Sequence, residues 1–325
     1  MKFRTELTLP VIKKGTITHE SKIIMLGSCF SDNIGKRFSD SMFDIVINPF
    51  GTIFNPASIS RGIEILLNAK QFCADDLFMH NGVWNSFYFY SRYSGVNQQS
   101  VLDGINRSIT IGSEQIKGAD IIFVTLGTAY IYLYNGEVVS NCHKLPNNQF
   151  ERRMLTVSEI VETLSTMVRS IHTVNSKAKI IFTVSPIRHI ADGLADNSLS
   201  KSTLRVAIAE LNALHPELCS YFPAYEIVND DLRDYRFYAS DMIHPNDMAI
   251  DYIWEKLTEY YIDNNSIESM KRCSKLLKRI NHKPMTDNEE LIAKFFDETA
   301  IEIEKIKQQL PYMATRINEI WKQKN

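Results

Sequence analysis

The sequence lacks the short patterns that mark most cofactor and metal sites. It contains no phosphate loop of the form GxxxxGK[ST], no GxGxxG after an apolar run, and no HExxH or paired Cys/His spacing. We therefore expect no cofactor and no bound metal. The five cysteines are scattered and form no CxxC pair, so we expect no disulfide framework. A reducing, cytoplasmic location is the simplest setting for such a chain.

Long apolar runs and an excess of charge of either sign are also missing. No stretch approaches the roughly 18 apolar residues that a membrane-spanning helix needs, and residues 1–15 lack the pattern of a secretory signal. Lys and Arg number 36 and Asp and Glu number 38, for a net charge of −2. This balance offers no broad positive surface to a nucleic acid.

What the sequence does contain is an alternation of short β-rich runs with helical patterns. The runs are almost continuously apolar, as in strands covered on both faces, and lie at 22–26, 44–48, 120–126, 179–185 and 224–228. Helical patterns lie between and after them at 56–70, 157–174, 200–214 and 246–261, and Thr156 and Glu159 form a capping box. This order predicts a doubly wound α/β fold with a parallel sheet of about five strands, whose ligand sites lie at the carboxyl ends of the strands.

The C-terminal part has a different character. We predict an α/β domain over 1–264 and a helical extension over 265–325. In the extension, Thr286 and Glu289 predict a second capping box, and Pro311 is expected to kink the helix. Apolar residues recur there at spacings of three and four, a pattern typical of a helix that folds back on the chain or forms a homodimer contact. These residues are Ile292, Phe296, Thr299, Ile303, Ile306, Leu310, Met313, Ile317 and Ile320.

Two separate stretches bear residues suited to nucleophilic catalysis. FYASDMIHPND places Asp241 three residues before His244, just ahead of the last helix of the α/β region. A carboxylate that orients a histidine creates a general base. The first apolar run ends at Gly27 and is followed by two nucleophiles, Ser28 and Cys29. Since this point lies at the ligand-binding edge of the predicted sheet, either residue could act with His244.

These stretches and several others resemble the GSCFA branch of the SGNH (GDSL-type) hydrolase superfamily over roughly residues 1–262. The similar segments are GSCFS at 27–31, NPFGTIFNP at 48–56, TLGTAYIY at 125–132, NCHKLP at 141–146, TVSPIRH at 183–189 and DMIHP at 241–245. The resemblance implies a flavodoxin-like, three-layer fold. It also implies an esterase, acyl hydrolase or O-acyltransferase acting on a small-molecule or glycan acyl ester, with a nucleophile after the first strand and a terminal Asp-x-x-His.

The resemblance also bears on which nucleophile acts. In the register of the superfamily's Gly-Asp-Ser motif, Cys29 takes the place of the serine and Ser28 that of the aspartate. The register therefore favours Cys29, with Ser28 as the alternative. A thiol in the first turn of a helix, near a protonated histidine, is expected to have a pKa below its free value. The superfamily's Gly-x-Asn motif reads Gly127-Thr128-Ala129 here, so the asparagine that helps to bind the oxyanion is missing.

Other groups are candidates for binding the oxyanion or the substrate. The backbone amides of Cys29 and Gly51 could stabilise an oxyanion, and a polar side chain could replace the missing asparagine. Either of two histidines could line the pocket, although each could equally be structural. The candidates beyond the nucleophiles are Gly51, Thr128, Asn55, Asn141, His143 and His189.

A second class of function stays open at this point. The missing asparagine and the seam of apolar residues near the C-terminus also suit a catalytically inactive protein. Such a protein would keep the SGNH-like fold and bind or assemble with a partner through its C-terminal helices.

Overall fold

The structure is a computed structural model and describes residues 5–8, 15–282 and 285–322. The stretch 1–15, predicted not to be a secretory signal, lies largely outside the described residues. The described strands are β1 (Lys22–Gly27), β2 (Asp44–Ile47), β3 (Phe78–His80), β4 (Val83–Asn85), β5 (Ile121–Leu126), β6 (Tyr130–Tyr134), β7 (Glu137–Val139), β8 (Glu151–Met154), β9 (Lys179–Val184) and β10 (Cys219–Tyr221).

A five-stranded sheet forms the centre of the fold, in the order β10-β9-β5-β1-β2. Strands β1, β5, β9 and β10 pair in parallel, and the order matches that of flavodoxin-like sheets. In register, Gly27 of β1 lies opposite Thr125 of β5, and Leu126 of β5 lies opposite Val184 of β9. The strands β1, β5 and β9 therefore end side by side at one edge of the sheet. The predicted fold class is confirmed.

The prediction of a strand at 224–228 was wrong. This stretch is helical, and the fifth strand is β10, which lies just before it in the chain. Ala224, Ile227 and Val228 are all buried. Their spacing of three and four is that of one helical face, and Pro223 precedes the helix. A short apolar run with this spacing fits both periods, which is why the sequence pattern misled.

The described helices are α1 (Cys29–Asp40), α2 (Pro56–Leu67), α3 (Gln98–Gly118), α4 (Val157–Val174), α5 (Leu194–Leu214), α6 (Ala224–Glu226), α7 (Asp247–Tyr261), α8 (Asn264–Asn281), α9 (Glu289–Gln309) and α10 (Ala314–Lys322). The capping box of Thr156 and Glu159 is present at the start of α4. Helix α5 begins six residues before the predicted start at Ser200. Among the described helices, none is both long and apolar enough to span a bilayer.

The chain forms two compact units. The first contains Lys22–Gly35 and Ile45–Lys256, and the second contains Lys36–Asp44 and the described part of Leu257–Asn325. The core of the first unit lies around the central sheet and includes Ile24, Val124 and Phe182, all of which are fully buried. The boundary predicted near residue 264 and the homodimer contact stay predictions.

Within the second unit, much of the apolar seam is buried inside the chain itself. Cys273, Leu276 and Ile280 of α8 share a core cluster with seam residues of α9 and of the segment after it: Ile303, Ile306, Leu310, Met313 and Ile317. Pro311 does interrupt the helix, because α9 ends at Gln309 and a short 3-10 turn precedes α10.

The prediction of a second capping box at Thr286 and Glu289 was wrong. Helix α9 begins after Asn288, whose side chain accepts a hydrogen bond from the Leu291 N–H. The Thr286 hydroxyl oxygen instead accepts from the Asn288 N–H. Asparagine is at least as good an N-cap as threonine, so the helix starts two residues after the predicted point.

Candidate active site

The turn from β1 into α1 requires a glycine at position 27. Gly27 has a φ of +153°, and a Cβ on it would lie 2.4 Å from the Thr125 carbonyl oxygen and 2.8 Å from the Ser31 hydroxyl oxygen. The Gly27 N–H donates a 2.8 Å hydrogen bond to Asn48 Oδ1. Asn48 also donates to Asp32 Oδ1 at 2.8 Å. The turn is therefore held close against β5 and tied to the segment that follows β2.

Replacing Gly27 with alanine should destabilise the protein strongly. The new methyl group would meet backbone atoms of β5, and the φ is one that residues with a side chain rarely adopt. We expect a loss of about 3 kcal/mol or more in the free energy of unfolding, measured by urea titration. Gly136→Ala is the matched control, because Gly136 has φ +82° but no atom within 4 Å of a Cβ. Equal losses in the two variants would contradict the steric argument.

Ser28 is held as a helix cap. Its side chain is only 4% exposed. Its hydroxyl accepts a hydrogen bond from the Phe30 N–H at 3.2 Å and donates to Ser185 Oγ at 3.0 Å. Both functions of the hydroxyl are thus used within the fold, in the manner of an N-cap residue.

Cys29 is the first residue of α1 and is half-buried as a free thiol. Burial raises the pKa of Cys29, and the charge of Asp32 raises it further. Hydrogen bonds from the N–H groups of Cys29 and Phe30 lower it, as does the charge of Lys201, but they do not outweigh the burial. The direction is opposite to the expected one. The thiol therefore depends on a base to reach its nucleophilic form.

Asp241 and His244 form the pair that the sequence predicted. The ring Nδ1 of His244 lies 2.6 Å from Asp241 Oδ2. Asp241 Oδ1 accepts hydrogen bonds from the N–H groups of His244 and Ile243, and these bonds lower the pKa of Asp241 to about 2. The carboxylate is ionised at neutral pH and holds the Nδ1–H tautomer. His244 Nε2 then has no hydrogen-bond partner among the described residues and can accept a proton.

The loop that carries this pair is closed on itself. The Ala239 N–H donates to the His244 carbonyl oxygen at 2.7 Å, and the Asn246 N–H donates to the Phe237 carbonyl oxygen at 2.9 Å. Between these ties, Met242 adopts φ +58° and is half exposed. A bulky residue in this region of backbone space is uncommon, and such residues cluster at functional sites.

His189 lies beside the loop that follows β5. Its Nε2 is 3.2 Å from the place of a Cβ on Gly127, and its ring centroid is 5.2 Å from that of Phe54. Burial lowers the pKa of His189 to about 4, and the charges of Lys201 and His244 contribute. His189 is therefore neutral at neutral pH and belongs to the same part of the site as His244.

The sequence model of the GSCFA family matches residues 22–257, which contain both the Gly27–Cys29 turn and the Asp241–His244 pair. The chain belongs to the GSCFA family. A search of curated proteins gave no match to this GSCFA chain.

Two solved structures show some likeness to the GSCFA chain. One is a Streptococcus pneumonia protein named as a candidate platelet activating factor, with 12% identity and a TM-score of 0.39 over 74% of this chain and 84% of its own. The other is an acetyl xylan esterase from the rumen bacterium Butyrivibrio proteoclasticus, with 11% identity and a TM-score of 0.37 over 75% of this chain. The match spans 64% of that esterase, less than two thirds of its length. At such low TM-scores and identities neither likeness carries an argument about function.

The other predicted site residues of the GSCFA chain have local hydrogen-bond partners. The Gly51 N–H donates to the Asn48 carbonyl oxygen at 2.7 Å, so this amide is already used. Asn55 caps α2 through the N–H and hydroxyl of Ser58. The Thr128 hydroxyl bonds with Ser200 Oγ at 3.0 Å. Gly51, Asn55 and Thr128 thus each have a structural role. A direct role of these residues in substrate binding stays a prediction.

Asn141 and His143 lie in the segment after β7. Asn141 Oδ1 accepts a hydrogen bond from the His143 N–H, and its amide group donates to Ser91 Oγ. His143 is buried, with Nε2 2.8 Å from the Ser86 carbonyl oxygen, and its ring contacts that of Phe78. Among the described residues, no hydrogen bond ties these two side chains to the Gly27–Cys29 turn or to His244.

Asn48, Ser185 and Lys201 contribute to the candidate site but were not predicted from the sequence. Asn48 and Ser185 come directly after β2 and β9, in segments where other residues were predicted as site residues. Lys201 lies on the buried face of α5, among Asn197, Leu204 and Ile208. A lysine in register with an apolar face is the signal that would have found it. In the parts of the chain that the structure describes, no three His, Cys, Asp or Glu side chains gather as metal ligands.

Proposed function

We propose that this protein is an acyl hydrolase or O-acyltransferase that forms an acyl-enzyme on Cys29, with His244 as general base and Asp241 as its orienting partner. The 2.6 Å contact between His244 Nδ1 and Asp241 Oδ2 carries the proposal, because it fixes the tautomer that a base needs. Membership of the GSCFA family, which resembles the SGNH hydrolases, supports it. Ser28 is the less suited nucleophile, since its hydroxyl caps a helix and bonds to Ser185.

The proposed reaction proceeds in two halves. His244 Nε2 takes the proton of the Cys29 thiol, and the thiolate attacks the carbonyl carbon of the ester. The tetrahedral intermediate collapses, the alcohol leaves with the proton from His244, and the acyl group stays on sulfur as a thioester. His244 then deprotonates water or an acceptor alcohol, which attacks the thioester. Release returns the proton to Cys29 and yields an acid or a new ester.

The start of α1 is the proposed oxyanion site. The backbone N–H of Cys29 lies at the first residue of this helix, whose positive end favours a developing negative charge. Such donors typically contribute several kcal/mol to acyl transfer. This arrangement would make a side-chain amide at the Gly127-Thr128-Ala129 position unnecessary.

The proposed substrate is a small-molecule or glycan acyl ester, as the resemblance to the SGNH hydrolases implies. All five cysteines are free thiols, which supports a reducing compartment such as the cytoplasm.

The decisive experiment is mass spectrometry after exposure to a panel of activated acyl esters and thioesters. We expect one acyl group on the peptide that contains Cys29, lost in Cys29→Ala and retained in Ser28→Ala. An adduct on Ser28 would overturn the assignment of the nucleophile. Absence of any adduct from folded protein, across the panel, would favour the inactive binding or assembly protein instead.

A further inference from the structure

A lysine is buried beneath the candidate site without a carboxylate partner. Lys201 of α5 is 1% exposed, and its Nζ donates a 2.7 Å hydrogen bond to the Ser185 carbonyl oxygen. No carboxylate of the described residues lies within ion-pair distance of it. Burying an ammonium group without a counter-charge costs free energy, so such a lysine usually has a function.

Lys201 is anchored to the same residue that holds the nucleophile turn. Ser185 follows β9, and its hydroxyl oxygen accepts the hydrogen bond from the Ser28 hydroxyl at 3.0 Å. The neighbouring Ser200 accepts a hydrogen bond from the Ala129 N–H at 2.8 Å. Two consecutive residues of α5 thus reach the segments that follow β9 and β5, at the edge of the sheet where Cys29 also stands.

We propose that Lys201 is the buried positive charge that stabilises the Cys29 thiolate. This inference rests on the proposed role of Cys29 as the nucleophile. The proton of Cys29 passes to His244 Nε2, and in the molecules in which Lys201 is protonated, about half at pH 7, it keeps its proton and forms no bond to the substrate. Lys201 is therefore a positioning residue that favours the ionised sulfur through its charge.

The electrostatics of the neighbouring groups agree with this pairing. Burial lowers the pKa of Lys201 to about 7, and the charge of Cys29 raises it. In return, Lys201 lowers the pKa of Cys29, whereas Asp32 raises it. His189 is neutral near pH 7, because burial and, to a smaller extent, the charges of Lys201 and His244 lower its pKa to about 4. Lys201 is thus the cation that offsets Asp32 at the sulfur.

The first test is the pH dependence of Cys29 alkylation by iodoacetamide, followed on the Cys29 peptide by mass spectrometry. In Lys201→Met the apparent pKa of Cys29 should rise by about one unit or more, so alkylation at pH 7 should slow by about tenfold or more. Lys201→Arg keeps the charge and should restore much of the rate. Lys179→Met is the matched control, since the Lys179 ammonium also donates to a carbonyl oxygen, that of Glu217, but at an exposed position.

A second measurement needs no change at Lys201 and covers the case in which its variants do not fold. NMR titration of labelled lysines should show a higher pKa for Lys201 in Cys29→Asp, which places a carboxylate at position 29, than in Cys29→Ala, because interactions between two sites are reciprocal. An unchanged alkylation profile in folded Lys201→Met, or equal Lys201 pKa values in Cys29→Asp and Cys29→Ala, would overturn the inference. Alkylation needs no acyl substrate, so a missing acyl adduct with a shifted profile would reject only the acyl-enzyme.

Discussion

Replacing His244 with alanine is expected to lower the rate of Cys29 acylation at pH 7 by about a hundred- to ten-thousandfold. Burial and Asp32 hold the pKa of the thiol above its ordinary value, so little thiolate forms without a base. The measurement is the single-turnover rate of acyl transfer from an activated thioester, followed by intact mass. Because the thiolate forms without help at high pH, the gap between variant and wild type should narrow as the pH rises.

His172→Ala is the matched control for this variant. His172 is exposed on α4, within the same compact unit, and should leave the rate unchanged. Unaltered acylation in folded His244→Ala would mean that another group deprotonates Cys29. A gap that stays constant over the whole pH range would mean that His244 acts in substrate binding and not as a base.

The order of most central strands and of several helices could be derived from the sequence because these elements repeat one period clearly, whereas α3 was not predicted. Four of the five predicted sheet strands lie where the apolar runs placed them, and the capping box at Thr156 fixed the start of α4. The failures came where local signals compete. The run at 224–228 fits one helical face as well as a strand, and Asn288 displaced Thr286 as the cap of α9.

In the candidate site too, local contacts could be predicted from the sequence and tertiary contacts could not. Asp241 and His244 are three residues apart, so a local pattern could reveal their contact. Asn48 bonds to the Gly27–Cys29 turn, and Lys201 is linked to it through Ser185, only because of the tertiary fold, and no spacing in the sequence encodes these contacts. The direction of the Cys29 pKa also depends on burial, which propensity and register do not report.

Asn48 shows how a structural residue can control the chemistry. Its side chain accepts a hydrogen bond from the Gly27 N–H and donates one to Asp32, whose negative charge opposes the ionisation of Cys29. The turn therefore places Asp32 near Cys29, the proposed nucleophile, and the charge of Lys201 acts on the pKa of Cys29 in the opposite direction.

Asp241→Asn is expected to lower acylation by about a thousand- to ten-thousandfold while leaving the protein folded. An asparagine amide placed at the Asp241 carboxylate would donate to Nδ1 and favour the tautomer with the proton on Nε2, which cannot accept the thiol proton. Because the pKa of Asp241 is about 2 and thus lowered, its carboxylate stays ionised in the folded protein until the pH falls toward that value. The wild-type rate should therefore show no loss from Asp241 between pH 5 and 8, measured by the same single-turnover assay over that range.

Asp234→Asn provides the matched control. Asp234 precedes the same loop and accepts a hydrogen bond from the Arg236 N–H, so it shares the capping role of Asp241 without a histidine partner. Its replacement should leave the rate of acylation near that of the wild type. If Asp241→Asn also kept a near-normal rate, the His244 tautomer would have to be held by another group, and the Asp241–His244 contact would be structural. If both variants lost activity together, the loop as a whole would be at fault, and the carboxylate would have no separate part in orienting the base.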